Sequence, residues 1–394
     1  MSGGMLVHSS AKMNVLLFLL VLVLPFLGIP SALADAGAAP AGSARVVRIQ
    51  LKWQHQFQFA GFYAALDQGY FRDAGLDVRL LPGGPDIDPA KVVVGGGAEF
   101  GIGNSSLLIS RAWGAPVVAV AAIMQHSPFV LVASRGRGVD GPRDLEGRLV
   151  MLEAHAAELM AFMKQAGADT SQMHMVPHDG NVRSLGQGMD AMSAYSSDEI
   201  YTLLTEKIPH QVFNPRSVGM DFYGDTLFTS QVLAIRDPAL VRAVRDGMIK
   251  GWYYALEHPN RIMGLIQDRY APDSDPLKLQ FEADEIRRLM EADVVGIGYM
   301  NPKRWQAIGA AFQQNGMIAA PVDLSAFLFD TTVQAEKPSH TGWLVAVSIG
   351  SGALVVVLAL WGLWLVLRLR RVQEERQNLE ECLRQKKGDQ SKVA

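Results

Sequence analysis

Short apolar runs alternate with stretches of helical periodicity through the central part of the chain. The strand-like runs of the first half are Val46–Trp53, Leu76–Leu81, Phe100–Gly103 and Pro116–Met124. Helical spacing of apolar residues separates them, first at residues 61–74, and the same alternation returns between residues 148 and 213. Strands that alternate with helices predict mainly parallel α/β sheets covered on both faces. Beyond Leu233 the pattern becomes mostly helical.

Two α/β units, followed by a helical segment that returns to the first unit, predict a two-lobed binding protein. We place lobe one at residues 45–134 plus 226–335, and lobe two at residues 135–225. The segments Val130–Ser134 and Tyr223–Ile235 would be the two chain crossings. In such a fold, ligands bind in the crevice at the carboxyl ends of the strands.

The N-terminal segment predicts export. Lys12, the apolar stretch Val15–Ile29 and the small residues around Ala32–Ala34 are typical of a secretory signal peptide over residues 1–34. An uncleaved anchor helix is the alternative. Residues 35–44, rich in Ala, Gly and Pro, predict a flexible start of the mature chain.

A second long apolar run lies near the C-terminus. Trp343–Leu367 has 25 residues without a charge, which as a helix would span about 37 Å against a hydrocarbon core of about 30 Å. It predicts a single transmembrane helix. Arg368 and Arg370 follow, so the positive-inside rule places the C-terminus in the cytoplasm and the binding lobes in the periplasm, on the bacterial inner membrane.

The tail at residues 368–394 predicts a short coiled coil, and with it a possible homodimer. Its apolar positions, including Leu369, Val372 and Leu379, follow the alternating intervals of four and three residues that are typical of the contact face of a coiled coil. A solvated helix next to the membrane is the alternative, because two heptads are short.

Composition and charge exclude several classes of protein. The chain has 394 residues, of which 49% are hydrophobic, and a single cysteine, so an internal disulfide framework and a cysteine-ligated zinc site are excluded. Of the formal net charge of −3, residues 1–34 contribute +1 and the tail +3, which leaves −7 for residues 35–367. A mildly acidic body is not typical of a nucleic-acid binder. The histidine and glycine spacings match neither a metal site nor a dinucleotide fingerprint.

Several motifs of the central region resemble one known family. The run Leu51–Ala65 reads LKWQHQFQFAGFYAA, and GYF at 69–71 and AGLDV at 74–78 follow it. With FGIGNSS at 100–106 and FYGDTL at 222–227, these motifs are similar to the thiamine-pyrimidine family of periplasmic-binding folds. The resemblance is closest to the sensing domains of bacterial membrane receptors. It implies an α/β, two-lobed type II periplasmic-binding-protein fold and a small heteroaromatic ligand.

The same family includes thiamine pyrimidine synthases, and the chain departs from their pattern. The synthases hold pyridoxal phosphate on a lysine in the loop after the third strand, whereas that loop reads GIGNSS here and no lysine lies between Lys91 and Lys164. Their cysteine cluster has no counterpart at residues 223–228. Glu153 stands in the segment that replaces their phosphate loop, where a carboxylate would repel phosphate. We therefore expect no cofactor and no catalytic residue, and keep the synthase as the alternative function.

Candidate ligand-binding side chains follow the predicted strands at the expected edge of the crevice. Trp53 offers an indole face for stacking, with a core-capping role as the alternative. Glu153 is placed to accept hydrogen bonds from an exocyclic amine, whereas Asp225 has an equally good interpretation as a turn residue. The predicted ligand-binding residues are Trp53, His55, Phe59, Tyr63, Asn104, Ser105, Ser106, Gln125, His126, Glu153, Tyr195, Asp198, Tyr223 and Asp225.

Together these predictions describe a membrane-anchored periplasmic solute-binding protein. Its ligand would be a small heteroaromatic compound, a thiamine-precursor pyrimidine, captured for sensing or for delivery to an ABC importer. Its partners would be the membrane and either a permease with its ATPase or a separate signalling protein.

Overall fold

A computed structural model describes residues 44–330 and 357–381. The predicted signal peptide and most of the predicted membrane span, residues 343–356, lie outside these ranges. The chain divides into two compact units, Met1–Thr331 and Thr332–Ala394. In the second unit, residues 357–381 form one helix with exposed side chains, which includes the first part of the predicted coiled coil. Across both described ranges, none of the helices combines the length and apolarity that a membrane crossing requires.

Residues 44–330 form two five-stranded sheets, which confirms the prediction of two α/β lobes. The first sheet has the order β2-β1-β3-β10-β4 and the second the order β7-β6-β8-β5-β9. The strands are β1 (Arg45–Gln50), β2 (Leu76–Leu81), β3 (Phe100–Gly103), β4 (Val117–Ala122), β5 (Phe129–Ser134), β6 (Leu149–Leu152), β7 (His174–Pro177), β8 (Ala191–Tyr195), β9 (His210–Phe213) and β10 (Thr226–Ser230).

The two sheets share one pattern of pairing. In the first, β1 is parallel to β2 and β3, while β10 runs antiparallel between β3 and β4. In the second, β6 is parallel to β7 and β8, while β5 runs antiparallel between β8 and β9. Each sheet thus receives one antiparallel strand at the point where the chain arrives from the other lobe.

The segment predicted as the first crossing is itself a strand, so the predicted lobe boundary at residue 134 is too late. Its residues pair with β8 from Phe129 to Ala133 and with β9 from Leu131 to Ser134. The crossing is the preceding stretch, residues 123–128, which runs beside residues 219–225. Ser127 N donates to Phe222 O at 2.9 Å, and Gly224 N donates to Met124 O at 3.1 Å. These two adjacent segments connect the lobes.

Helices cover both sheets, and several begin with the same local signal. Pro89, Pro238, Pro276 and Pro302 each stand at the first helical position, directly after an Asp or Asn whose side chain accepts a backbone N–H of the first turn. The helices of residues 44–330 are α1 (Ala60–Asp67), α2 (Tyr70–Asp73), α3 (Pro89–Val94), α4 (Leu107–Ala112), α5 (Ala157–Gln165), α6 (Glu199–Thr205), α7 (Gln231–Arg236), α8 (Pro238–Glu257), α9 (Pro259–Arg269), α10 (Pro276–Met290) and α11 (Pro302–Gln314).

Close packing of α1 against α8 holds the segment that follows β1. A Cβ added at Gly251 of α8 would lie 2.0 Å from Gly61 O of α1, so the two backbones approach as only glycine allows. The Trp252 side chain fills the space beside Gly61 and is fully buried. The chain between β1 and α1 is therefore fixed at the end of the sheet, facing lobe two.

Candidate ligand-binding cleft

The two lobes meet at the carboxyl ends of their parallel strands, as the fold predicts for a ligand crevice. Lys52 and Trp53 follow β1, Glu153 follows β6, and Asp198 follows β8. These side chains surround a small cavity of about 10 Å³, which we call the bay. The residues lining the bay are Lys52, Trp53, Gln56, Gln58, Glu153, Tyr195, Asp198 and Glu199.

Lys52 stands at the centre of the bay. Its side chain is only 12% exposed, and its Nζ contacts the Tyr195 hydroxyl from lobe two. The same Nζ lies 3.5 Å from Asp225 Oδ1 and 4.7 Å from the centre of the Tyr195 ring. A cation held this deeply must be balanced by nearby carboxylates.

Asp225 supplies part of that balance from the second chain crossing. Its side chain is 1% exposed, and Gln58 Nε2 donates to its Oδ2 at 2.7 Å. Burial raises the pKa of Asp225, while Lys52 and Gln58 act in the opposite direction. Asp225 therefore does more than stabilise a turn, because its carboxylate also pairs with Lys52 beneath the bay.

Two glutamates near Lys52 have strongly raised pKa values. Burial raises the pKa of the half-buried Glu153 to about 7, against the opposing charge of Lys52. Burial likewise raises the pKa of Glu158 to about 7, although Ser127 Oγ donates to its Oε2. Near neutral pH, each can therefore either accept a hydrogen bond as a carboxylate or donate one as an acid.

A second cluster of acidic residues, formed by Asp198, Glu199 and Glu282, lies where α6 faces α10. Glu199 Oε2 accepts from Tyr195 N at 2.7 Å, and Glu282 Oε2 accepts from Phe57 N at 2.8 Å. Burial raises the pKa of both carboxyls, with Asp198 adding to the effect. Lys278 contacts Asp198 from the opposite lobe. The cleft is therefore acidic on this side too.

The lobes are in contact across the cleft. Besides the Lys52–Tyr195 pair, Ser106 Oγ donates to His155 O at 3.0 Å, and Tyr201 Oη donates to Asp275 Oδ2 at 2.7 Å. Because such contacts lie on both sides of the bay, the two lobes are in a closed arrangement.

Asn104 and Ser106 line a second cavity beside the bay, of about 30 Å³, with Lys52 and His155. Asn104 Oδ1 accepts from Ser106 N at 3.0 Å, which stabilises the turn that leads into α4. Asn104 Nδ2 is buried and has no hydrogen-bond partner among residues 44–330 and 357–381. Ser105 turns away, and its Oγ donates to Tyr223 O at 3.0 Å.

Three predicted residues near β1 lie outside the bay. Phe59 and Tyr63 are predicted to contact a ligand, but both side chains are fully buried in the core of lobe one. Tyr63 stacks on Tyr270 with ring centres 4.2 Å apart, and its hydroxyl lies 2.9 Å from His55 Nδ1. His55 faces a wide polar opening of the cleft rather than the bay.

Three further predicted residues belong to the chain crossings. Gln125 Nε2 donates to Tyr299 O at 3.1 Å. The ring nitrogens of His126 lie 2.8 Å from Asp221 Oδ1 and 2.9 Å from Glu291 Oε1. Tyr223, buried against Trp305, accepts from Asn301 N at 2.8 Å. All three pack toward the C-terminal helices and do not line the bay.

Sequence reasoning missed several residues of the bay, above all Lys52. The polar run that follows the apolar β1 was the available signal, because it stands where a buried strand reaches the crevice edge. Gln56, Gln58 and Glu199 lie in similar positions next to predicted residues. Of the predicted set, the structure brings together Trp53, Glu153, Tyr195, Asp198 and Asp225, with Asn104 and Ser106 adjacent.

Comparison with known proteins gives two relatives with named ligands. The formylaminopyrimidine-binding protein of Halalkalibacterium halodurans is 21% identical over 253 residues, which cover 62% of this chain and 77% of the relative. The riboflavin-binding protein RibY of Chloroflexus aurantiacus is 20% identical over 313 residues, which cover 75% and 88%.

Solved structures of binding proteins share the fold. The periplasmic aliphatic sulphonate-binding protein SsuA of Escherichia coli matches with a TM-score of 0.56 at 15% identity, covering 74% of this chain and 94% of that one. SsuA of Xanthomonas axonopodis, solved with MOPS bound, matches with a TM-score of 0.57 at 14% identity, covering 74% and 99%. The two lobes therefore have a periplasmic-binding-protein fold. A family model described as NMT1/THI5 like matches residues 56–262, and the chain belongs to this family.

Proposed function

We propose that this protein binds a small heteroaromatic ligand bearing an amine, a thiamine-precursor pyrimidine, in the cleft between its lobes. The observation that carries the proposal is the bay, in which the aromatic side chain of Trp53 stands beside the carboxyl groups of Glu153, Asp198 and Glu199. An aminopyrimidine combines a flat ring for stacking with N–H donors for those carboxyls.

The charge of the cleft argues against an anionic ligand. Glu153, Asp198, Glu199 and Asp225 surround the single cation Lys52 among the described residues in and beneath the bay. A sulfonate keeps its negative charge at every physiological pH and would find no cation to pair with in the described part of the bay, because Lys52 already pairs with Asp225. The fold of the SsuA proteins thus supports solute binding, while the side chains favour a donor-rich, uncharged or cationic ligand.

The relatives favour the same chemical class. One is named for a formylaminopyrimidine and the other for riboflavin, and both names denote flat nitrogen heterocycles. Within that class, the acidic bay favours an exposed amine, which is the reason for preferring the pyrimidine.

Binding would be coupled to closure of the lobes. The contacts of Lys52 with Tyr195 and of Tyr201 with Asp275 can form only when the lobes approach. A ligand that touches Trp53 on one lobe and Glu153 on the other would add its binding free energy to the closed state alone.

A ligand screen tests the proposal. The melting temperature of the full chain should rise with hydroxymethyl- or formylamino-pyrimidine but not with alkanesulfonates, since a ligand at 100 times its dissociation constant stabilises by about 2.7 kcal/mol. Trp53→Ala should remove the shift. The matched control is Trp113→Ala, because Trp113 is 77% exposed and does not line the bay. A flat response to every pyrimidine would exclude the ligand class.

We further propose that the protein is anchored in the inner membrane with its lobes in the periplasm, and that it delivers the ligand to an ABC importer or reports it to a signalling protein. The apolar run at residues 343–367 supports the anchor. The full chain should stay with the membrane after an alkaline wash, and a chain ending at residue 335 should be released. Co-purification with a permease would support delivery, and with a kinase or cyclase would support sensing.

The synthase alternative has a lysine in the cleft that the sequence argument overlooked, namely Lys52. Its Nζ is engaged by Tyr195 and Asp225, and among the described residues the bay has no other cation for the phosphate of pyridoxal phosphate. These residues do not fit the cofactor. Incubation with pyridoxal phosphate should therefore produce no lysine-dependent absorbance band, and such a band lost in Lys52→Met would favour the synthase.

A further inference from the structure

The bay is too small for the ring of the proposed ligand in the closed arrangement. Its volume of about 10 Å³ is close to the space that one water molecule needs. An exocyclic amine would fit there, but a six-membered ring would not. The body of the ligand must therefore lie in an adjoining space.

That space opens directly from the bay. A larger cavity of about 380 Å³, which we call the groove, shares the walls formed by Lys52, Trp53 and Glu153. Its volume lies within the range of about 300–1,000 Å³ typical of small-molecule sites. Lobe one contributes the loop after β2, and lobe two contributes β7 and the end of β6.

The walls of the groove are mainly apolar. Pro85 and Ile87 face it from lobe one, and Leu152, Met175 and Val176 from lobe two. Beyond the shared Lys52 and Glu153, its polar side chains are Asp86, His155 and His178. His178, on the lobe-two wall, has both ring nitrogens engaged, because Nε2 lies 3.1 Å from Ser193 O and Nδ1 accepts from Gly180 N at 2.9 Å. It therefore offers a ring face and no free hydrogen-bonding group.

We infer that the groove is a subsite for an apolar substituent or second ring carried by the heteroaromatic ligand. The amine edge would point into the bay toward Glu153, the ring would lie against Trp53, and the substituent would extend toward Met175. This inference rests on the proposed function and narrows it: the preferred ligand is an aminopyrimidine that carries an apolar substituent or a second ring rather than a bare aminopyrimidine.

Calorimetry with two matched compounds tests the groove. The full chain should bind 5-benzyl-4-amino-2-methylpyrimidine at least about tenfold more tightly than 4-amino-2-methylpyrimidine, because the benzyl group would bury apolar area in the groove. Met175→Ala should lower the affinity for the benzyl compound by about fivefold and leave the affinity for the smaller compound unchanged.

The control is Val212→Ala. Met175 on β7 and Val212 on β9 are both partly exposed apolar residues, 39% and 42%, on the two opposite edge strands of the same sheet. Val212→Ala should alter neither affinity. Equal affinities for the two compounds, or equal losses of both in Met175→Ala, would overturn the subsite while leaving the proposed ligand class intact. Failure of both compounds to bind would overturn the proposed function, and the subsite with it.

Discussion

Replacing Glu158 with glutamine should stabilise the protein at high pH and have little effect at low pH. Glu158 is fully buried on α5, close to the chain crossing at Ser127. Its pKa is raised from 4.5 to about 7, so the folded protein retains a proton that the unfolded chain has already released. Such a group supports folding below pH 4.5, and that support is lost as the pH rises through 7.

The magnitude follows from the two pKa values. Since each tenfold change in an equilibrium constant is worth about 1.4 kcal/mol, moving the carboxyl pKa from 4.5 to about 7 corresponds to about 3 kcal/mol at high pH. Glutamine avoids this cost because it stays neutral at every pH, and its side-chain oxygen can still accept the Ser127 hydroxyl. The gain of Glu158→Gln over the wild type should grow by about 2.5 kcal/mol from about pH 5 to about pH 8.

Urea unfolding of both proteins at several pH values measures this difference. Glu257→Gln is the control, because Glu257 is exposed at the end of α8. Its free energy of unfolding should follow the wild type at every pH. A gain of Glu158→Gln that does not change with pH, or that is largest at low pH, would refute the view that a buried, protonated carboxyl lies at the crossing.

Three other variants test the packing and the cleft. Gly251→Ala should lower the free energy of unfolding by about 3 kcal/mol or more in urea melts, because its Cβ would collide with Gly61 O. Tyr201→Phe removes the hydrogen bond to Asp275 between the lobes, and ligand affinity in calorimetry should fall several-fold while the melting temperature without ligand stays unchanged. Lys52→Met leaves the carboxylate beneath it unpaired, so stability should fall by about 3 kcal/mol at pH 8 and by less at pH 5.

Local sequence signals determined most of the secondary structure. The strands Leu76–Leu81 and Phe100–Gly103 have the predicted bounds, and the region predicted as helical beyond Leu233 contains the helices Pro238–Glu257 and Pro302–Gln314. Their periodicity and their Asp-Pro or Asn-Pro starts act within a few residues, so no distant contact is needed to recognise them. The same is true of the crevice position, because polar residues after buried strands mark the edge of a parallel sheet.

The lobe boundary was decided by tertiary contacts. The apolar run at Phe129–Ser134 has the same composition whether it connects two lobes or joins a sheet, and only its hydrogen bonds to β8 and β9 assign it to lobe two. Likewise, Gln125 and His126 follow β4 beside the crevice, but their side chains turn toward the C-terminal helices. Nothing in the neighbouring residues specifies which packing partner a side chain will meet.

The sequence by itself determined an α/β fold with two lobes and an aromatic, carboxylate-rich crevice. Only the tertiary structure decided which of those side chains face one another. Phe59 and Tyr63 entered the core because α8 packs across α1, while Lys52, at the end of β1, was enclosed by Tyr195 and Asp225 from distant parts of the chain. The physical reason is the distance along the chain over which each effect acts. Periodicity is set by neighbouring residues, whereas burial and charge pairing depend on surfaces that meet only after folding.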